Sequence, residues 1–299
     1  HGRLSSMARP FSPRWPWAYI RTRPRTRLDK GLAWLNCAFV SGRNLKNTVD
    51  RFEEPLAPPL LSSGVFGLDD VLGGGLTPSR LYLVEGTPGA GKTTIALQFL
   101  MEGVRGGESV LYVTLSETAE ELAGVARSHG WDLRGIHMRE MLPSQEALQP
   151  EEQYTMFHPS EVELSETTLK ILSDVEELKP TRVVFDSLSE LRLLAGNSLR
   201  YRRQILALKQ FFAGRQCTVM LLDDMTATDH DLQVQSISHA VLKLEQIHSD
   251  YGSARRRLVV VKYRGQDFRG GYHDYKITRG GLQVFPRLVA SEHLSEIEQ

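Results

Sequence analysis

Residues 86–93 read Gly-Thr-Pro-Gly-Ala-Gly-Lys-Thr and match the phosphate-loop pattern G-x-x-x-x-G-K-[ST] at every fixed position. Glycines let such a loop curl so that successive backbone N–H groups point inward at a phosphate chain. The ammonium of Lys92 then reaches the β- and γ-phosphates, and the hydroxyl of Thr93 is placed to ligate Mg²⁺. The predicted nucleotide-binding residues are Gly86, Thr87, Pro88, Gly89, Ala90, Gly91, Lys92, Thr93 and Thr94.

The flanking residues decide between a phosphate site and a glycine-rich turn without a ligand. Residues 81–85 form a short, mostly apolar run that is typical of a strand. Residues 94–101 carry several apolar side chains and no helix breaker, which predicts a helix whose first turn meets the phosphates. Because strand, loop and helix come in the required order, the sequence predicts a bound nucleoside triphosphate.

A second apolar strand, predicted at residues 182–186, ends in an aspartate. The buried residues of such a strand hold the carboxylate of Asp186 at the carboxyl edge of the sheet, beside the metal. The alternative is that Asp186 is the N-cap of the following turn. Because a phosphate loop lies upstream in an alternating β/α pattern, we favour Mg²⁺ ligation by Asp186 together with Thr93.

The chain has 36 basic and 36 acidic residues, but they are unevenly distributed. Residues 1–50 hold ten Lys and Arg against two Asp, a net charge of +8, which leaves −8 for the remainder. Prolines and alternating arginines break any regular period, so we expect residues 1–58 to be a disordered or non-native basic extension. The alternative is a nucleic-acid arm, since Trp15 and Trp17 among the arginines would suit base stacking.

Cysteine usage and hydropathy narrow the class of protein further. The two cysteines, Cys37 and Cys217, cannot build a disulfide framework or a metal site, and they suit a reducing cytoplasm. No apolar run approaches the roughly 18 residues that would span a membrane. We therefore expect a cytoplasmic protein without a membrane partner.

Residues 59–288 predict one α/β domain, and residues 289–299 predict a flexible tail. Residues 118–121 supply a capping box for a helix that ends near Gly130. The stretch at 137–165 contains three prolines and predicts an irregular insertion, after which residues 167–178 and 198–212 resume helical spacing.

The end of the domain has a different pattern. Residues 240–247, 257–263, 272–278 and 282–285 predict consecutive strands, and the three arginines at 255–257 predict a solvated hairpin end. The predicted fold is therefore α/β, with a mostly parallel central sheet flanked by helices and extended by C-terminal antiparallel β-hairpins.

Residues 61–288 resemble the KaiC-type branch of the RecA-like P-loop ATPases, as a single domain rather than the tandem pair of the circadian-clock proteins. The matching segments are 63–69 with 73–75, 86–94, 112–114, 128–131, 182–189, 262–265 and 277–278. The resemblance implies a RecA-like fold, with ATP and Mg²⁺ bound between neighbouring copies of a homo-oligomeric ring, usually a hexamer. A regulatory or signalling ATPase with an unidentified protein partner is the function that it favours.

The resemblance also assigns a role to Lys262 and Arg264. In the family, such a Lys-x-Arg pair reaches the γ-phosphate held by the adjacent subunit, where a cation neutralises charge that develops during phosphoryl transfer. The alternative is that both side chains face solvent on an edge strand and discourage edge pairing. We favour the trans-acting role.

The catalytic carboxylate departs from the family pattern. The family places two consecutive glutamates after the second core strand, whereas this chain has Ser116 and Glu117. A serine cannot act as a general base with a useful pKa, so either Glu117 takes that role or hydrolysis is slow. The alternative for Glu117 is an acid that favours the N-terminus of the next helix. Kinase activity is not predicted, since residues 235–238 match the clock proteins' phosphorylated pair only in part.

Two other functions remain open. A DNA-recombination ATPase would need cations in its channel loops, but no Lys or Arg lies between Arg215 and Lys243, where four aspartates occur (Asp223, Asp224, Asp229 and Asp231). Arg192 and Arg200 in the preceding loop leave that alternative open, although the aspartates argue against a nucleic-acid partner. A non-hydrolysing, nucleotide-dependent scaffold is favoured by Ser116 alone.

Overall fold

The computed structural model describes residues 59–141, 159–225, 232–248 and 252–288. The chain divides into two units, His1–Glu54 and Pro55–Gln299, and every described residue belongs to the second. The predicted basic extension and the tail from residue 289 lie outside the described residues, so both domain limits stay predictions.

The strands of the described residues form one sheet. They are β1 (Leu81–Gly86), β2 (Val110–Thr114), β3 (Ile136–Glu140), β4 (Arg182–Asp186), β5 (Thr218–Asp223), β6 (Ala240–Ile247), β7 (Arg255–Tyr263), β8 (Tyr272–Thr278) and β9 (Gly281–Phe285). Their order is β3-β2-β4-β5-β1-β6-β7-β8-β9. In this spatial order, every neighbouring pair between β3 and β6 is parallel. The pairs β6–β7, β7–β8 and β8–β9 are antiparallel. The predicted α/β class and the antiparallel extension are confirmed.

Helices cover both faces of this sheet. They are α1 (Leu68–Val71), α2 (Lys92–Arg105), α3 (Ala119–His129), α4 (Pro159–Leu178), α5 (Leu188–Ala195), α6 (Ser198–Ala213) and α7 (Leu232–Ile237). Along β1, Tyr82 and Val84 pack on the side of α1 and α2, while Leu81 and Leu83 pack on the side of α4 to α7. Burial on both faces explains why the central strands are apolar without alternation.

The start of α3 shows how local sequence sets a boundary. Thr118 Oγ1 accepts a hydrogen bond from the N–H of Glu121 at 3.2 Å, and the Glu121 carboxylate accepts one from the N–H of Thr118 at 2.8 Å. The helix ends at Gly130, whose φ of 75° lies in the left-handed region that glycine adopts at little cost. The predicted capping box is confirmed.

Part of the stretch predicted as irregular is regular. Residues 136–140 form β3, an edge strand parallel to β2, and α4 begins at Pro159. The prediction was wrong here because an edge strand has one neighbour and is half-buried, so it tolerates polar residues. Residues 142–158 lie outside the described residues. The short helices α5 and α7 were not predicted.

The arginines at 255–257 lie at the predicted hairpin end, where β7 begins opposite the last residues of β6, but only Arg255 is exposed and the other two are half-buried. Arg257 forms an ion pair with Glu245 at 2.7 Å and stacks over the ring of Tyr272, and exposed Arg255 pairs with Asp274 at 2.9 Å. These pairs cross between neighbouring antiparallel strands, a relationship that local sequence does not contain.

The strand directions define two edges of the sheet: one where the parallel strands finish, and the opposite one where they begin. The loop at 86–93 follows the carboxyl end of β1, where the carboxyl ends of the parallel strands β2, β4 and β5 also lie. Strand β7 runs the other way and ends at Tyr263, which pairs with Ala240, itself opposite Tyr82 near the start of β1. The rest of β1 therefore separates Tyr263 from the loop, about 13 Å along the strand. The two predicted trans-acting cations are the sequence neighbours of this tyrosine.

Candidate functional site

The phosphate loop is shaped by its glycines and by the start of α2. Gly91 has a φ of 98°, in the left-handed region where any other residue is strained, and a Cβ atom there would also displace the end of the Ile277 side chain, 2.6 Å away. Thr87, Pro88 and Gly89 are exposed, whereas Ala90 is buried. The first backbone N–H groups of α2 have no partner within the helix and are available to an anion at this end.

Lys92 lies at the bottom of the loop and is only 6% exposed. Its ammonium donates to the carbonyl oxygens of Gly86 at 2.8 Å and Thr87 at 3.1 Å, and it lies 2.8 Å from Asp224 Oδ1. Asp224 directly follows β5, the strand paired with β1. Its role was missed, although an aspartate pair closing a buried strand was visible in the sequence.

The side chains of Thr93 and Asp186, the two predicted metal ligands, lie next to each other. Thr93 Oγ1 lies 3.2 Å from Asp186 Oδ2, which also accepts a 2.6 Å hydrogen bond from the hydroxyl of Tyr112. Burial raises the pKa of the Asp186 carboxyl, while the hydrogen bonds from Tyr112 and Thr93 lower it. Burial also raises the pKa of Tyr112 well above its ordinary value, so its hydroxyl stays a donor at neutral pH.

These two oxygens suit Mg²⁺, which takes hard oxygen ligands and is commonly held by one or two protein groups, with phosphates and water completing the octahedron. Within the described ranges, no cluster of three or more His, Cys, Asp or Glu side chains could hold a metal ion by itself. The donor set therefore fits a metal that arrives with a phosphate ligand.

Glu117 lies at the same edge, between β2 and α3. Its N–H donates to Thr114 Oγ1 at 2.9 Å, and its Oε2 atom is buried without a hydrogen-bond partner in the described part of the chain. Burial raises the pKa of the Glu117 carboxyl, and the neighbouring carboxylates Asp186, Glu121 and Asp224 raise it further. The acid of the α3 capping box is Glu121, and Glu117 precedes the N-cap Thr118. Ser116 is exposed.

Lys262 and Arg264 do not join this group of residues. Both donate to backbone carbonyls near the end of α7: Lys262 to Gln235, and Arg264 to Ser236 at 2.6 Å. The side-chain amide of Gln235 in turn donates to both carboxylate oxygens of Glu85, at 3.0 and 2.8 Å. Glu85 precedes the phosphate loop, so Gln235 connects β1 with the two cations at the other edge.

Some of the charged residues that bear on nucleic-acid binding form ion pairs inside the domain. Asp223 forms a 2.7 Å ion pair with Arg192, a residue of α5 rather than of a loop, and Asp224 pairs with Lys92. Arg200 lies in the first turn of α6. Ion pairs therefore neutralise two of the four aspartates, which weakens their repulsion of a polyanion. The other two lie outside the described residues. No helix of the described ranges is long and apolar enough to cross a membrane.

Comparison with known proteins shows which family this chain resembles. The family model described as "ATPase: KaiC" matches residues 61–289. A UPF0273 protein of Methanopyrus kandleri is 28% identical over 253 residues, which cover 82% of this chain and 99% of that protein. A UPF0273 protein of Pyrococcus horikoshii is 27% identical over 239 residues, 77% of this chain and 95% of that protein. The circadian clock oscillator protein KaiC of Parathermosynechococcus lividus is 29% identical over 234 residues, 76% of this chain but 42% of the clock protein.

Proposed function

This chain belongs to the KaiC ATPase family, and we propose that it binds ATP with Mg²⁺ on residues 86–94 and hydrolyses it at the interfaces of a ring of identical subunits, six in number. The convergence of Thr93 and Asp186 on one metal position, 3.2 Å apart and beside the buried Lys92, carries the proposal. The ring then has a regulatory role: its conformation changes with the bound nucleotide, and a protein partner binds according to that conformation.

Each residue of the loop edge has a role in this chemistry. The N–H groups at the start of α2 bind phosphate oxygens, and Lys92 neutralises charge on the β- and γ-phosphates. Thr93 and Asp186 would hold Mg²⁺, and Tyr112 fixes the Asp186 carboxylate through its 2.6 Å hydrogen bond. The bound ion would supply charge neutralisation at the transferred phosphoryl group.

Glu117 is the residue that we assign to water activation. Its buried Oε2 atom has no hydrogen-bond partner in the described part of the chain and would accept a proton from water, and a pKa above the ordinary value makes the carboxylate a stronger base. With Ser116 in place of a second acid, we expect the turnover to be slow.

The position of Lys262 and Arg264 supports a site shared between subunits. Both lie at the edge of the sheet opposite their own loop, so they are better placed for a nucleotide on a second copy than for their own. In the described part of the chain each makes one side-chain contact, with α7, and so has further N–H donors to offer. A cation that arrives from a neighbour stabilises the transferred phosphoryl group.

The test measures ATP hydrolysis and native mass together on the full chain, with and without single-stranded DNA. We expect slow hydrolysis, ring-sized assemblies and no stimulation by DNA. ATP binding and assembly without hydrolysis would support the scaffold that Ser116 favours, and stimulation by DNA would support a recombination ATPase. A chain that fails to bind ATP would overturn the proposal.

A further inference from the structure

A cavity lies at the edge of the sheet away from the phosphate loop. It has a volume of about 230 Å³ and is bounded by the starts of β1 and β5, the end of α6 and the segment after α7. Apolar side chains form much of its wall: Leu81, Phe212, Ala213, Val219 and Ile237. We call it the basic pocket, because its basic lining residues are Arg80, Lys209, His239 and Arg264.

The charge of these lining residues has no acidic counterpart. None of the residues lining the basic pocket is an aspartate or a glutamate. In the described part of the chain, Arg80, Lys209 and Arg264 form no ion pair, nor does Lys262 nearby. By contrast, Arg182 and Arg192, two largely buried arginines elsewhere in the domain, are paired with Glu108 and Asp223. Cations gathered without an acid repel one another, and a bound anion would remove that cost.

Backbone carbonyls accept hydrogen bonds from only some of the N–H donors of these cations. Lys209 donates to the carbonyl of Ile237 at 2.7 Å, Arg264 to that of Ser236 at 2.6 Å, and exposed Arg80 only to the neighbouring Ser79 carbonyl at 3.4 Å. A lysine has three donors and an arginine five. The end of a helix carries about half a negative charge, far less than three cations. Among the described residues, several donors and most of the positive charge therefore have no partner.

His239 provides an independent sign of an unmet partner. Its Nε2 atom is buried and has no hydrogen-bond partner among the described residues. Burial and the surrounding cations lower the pKa of this imidazole to about 4, and they also lower the pKa of Lys209. Both shifts have the direction expected for groups that lack an anion.

We propose that the basic pocket is a second anion-binding site that takes a phosphate group, held by Arg80, Lys209 and Arg264. A phosphate offers up to two charges and several oxygens, which matches guanidinium and ammonium donors that converge from different elements. The phosphate comes either from solution or from a nucleotide on a second copy of the chain. The second source, but not the site itself, rests on the function proposed above.

The test uses full-length protein carrying Lys92→Ala, so that the phosphate loop does not contribute, and inorganic phosphate as the probe. Calorimetry should give saturable binding that weakens at least about tenfold on adding Arg80→Gln, since a hydrogen bond to a charged group is worth about one such factor or more. Lys209→Gln should act likewise, and Lys209→Arg should retain binding. Arg203→Gln on α6, which lies outside the pocket, is the matched control.

Absence of saturable binding, or equal weakening by Arg203→Gln, would overturn the site. A mixing experiment then assigns the source. Lys92→Ala protein has the pocket but no loop, and Arg80→Gln protein has the loop but a damaged pocket. If an equal mixture hydrolyses ATP faster than the mean of the separate proteins, the phosphate is that of a second copy's nucleotide; if phosphate binds without such a gain, it comes from solution. The calorimetric result stands even if the chain hydrolyses no ATP.

Discussion

The ammonium nitrogen of Lys92 lies 2.8 Å from Asp224 Oδ1. The lysine is 6% exposed and the aspartate side chain 30% exposed, so this pair is partly desolvated. Asp224 thus holds the cation that a phosphate chain would bind, at the point where β5 ends beside β1. A carboxylate in this position both supports Lys92 and competes with a phosphate for it.

Asp224→Asn tests this double role. Removing one partner of a desolvated pair leaves Lys92 without its counter-charge, and we expect a loss of about 1–2 kcal/mol, below the range for fully buried pairs because Asp224 is partly exposed. ATP should restore more stability to the variant than to the wild type, because its phosphates then meet no competitor. Thermal unfolding with and without ATP measures both effects. Asp132→Asn, in a solvent-exposed ion pair, is the control, and an equal ATP-induced shift in all three proteins would contradict the competition.

Lys92→Ala should weaken ATP binding at least about a hundredfold, because charge-assisted bonds to two phosphates are lost together. Calorimetric titration with ATP and Mg²⁺ measures the change. Lys179→Ala, at the end of α4 and away from the loop, should bind as the wild type does. Retained tight binding by Lys92→Ala would show that residues 86–93 do not hold the phosphates.

Glu117→Gln should keep ATP binding but reduce turnover about 10²-fold or more, the usual contribution of a general base. The same variant makes a pH prediction. The pKa of Glu117 is raised in the folded chain, so ionising it costs stability as the pH rises above the unfolded value of about 4.3. Without nucleotide and Mg²⁺, the variant should therefore melt above the wild type near neutral pH, and the difference should disappear at about pH 4. A lower melting temperature at neutral pH would argue against a desolvated carboxylate.

Arg264→Ala should leave ATP affinity nearly unchanged but reduce turnover or the native mass, because Arg264 lies away from its own loop. A small loss of stability is also expected, since its hydrogen bond to the Ser236 carbonyl disappears. A hydrolysis assay measures the turnover, and native mass spectrometry measures the size of the assembly. Arg279→Ala, in the turn between β8 and β9, is the charge-matched control. Wild-type turnover and mass in Arg264→Ala would remove its role in trans.

Local spacing was enough to predict the phosphate loop, the strand and helix beside it, the capping box of α3 and the strand that ends in Asp186. These features depend on residues within a few positions of one another. The α/β class followed because alternating strands and helices of this kind bury both faces of a parallel sheet.

The order and direction of the strands were decided only by the tertiary structure. Parallel pairing of β5 with β1 brings Asp224 to Lys92, and pairing of β2 with β4 brings Tyr112 to Asp186. The antiparallel direction of β7 carries Arg264 to the edge opposite the loop. Such contacts join residues that are tens to hundreds of positions apart, and their geometry depends on which strands pair rather than on any local pattern. The sequence by itself therefore determined the phosphate-loop motif, while the tertiary structure determined which charges surround it and which lie at the opposite edge of the sheet.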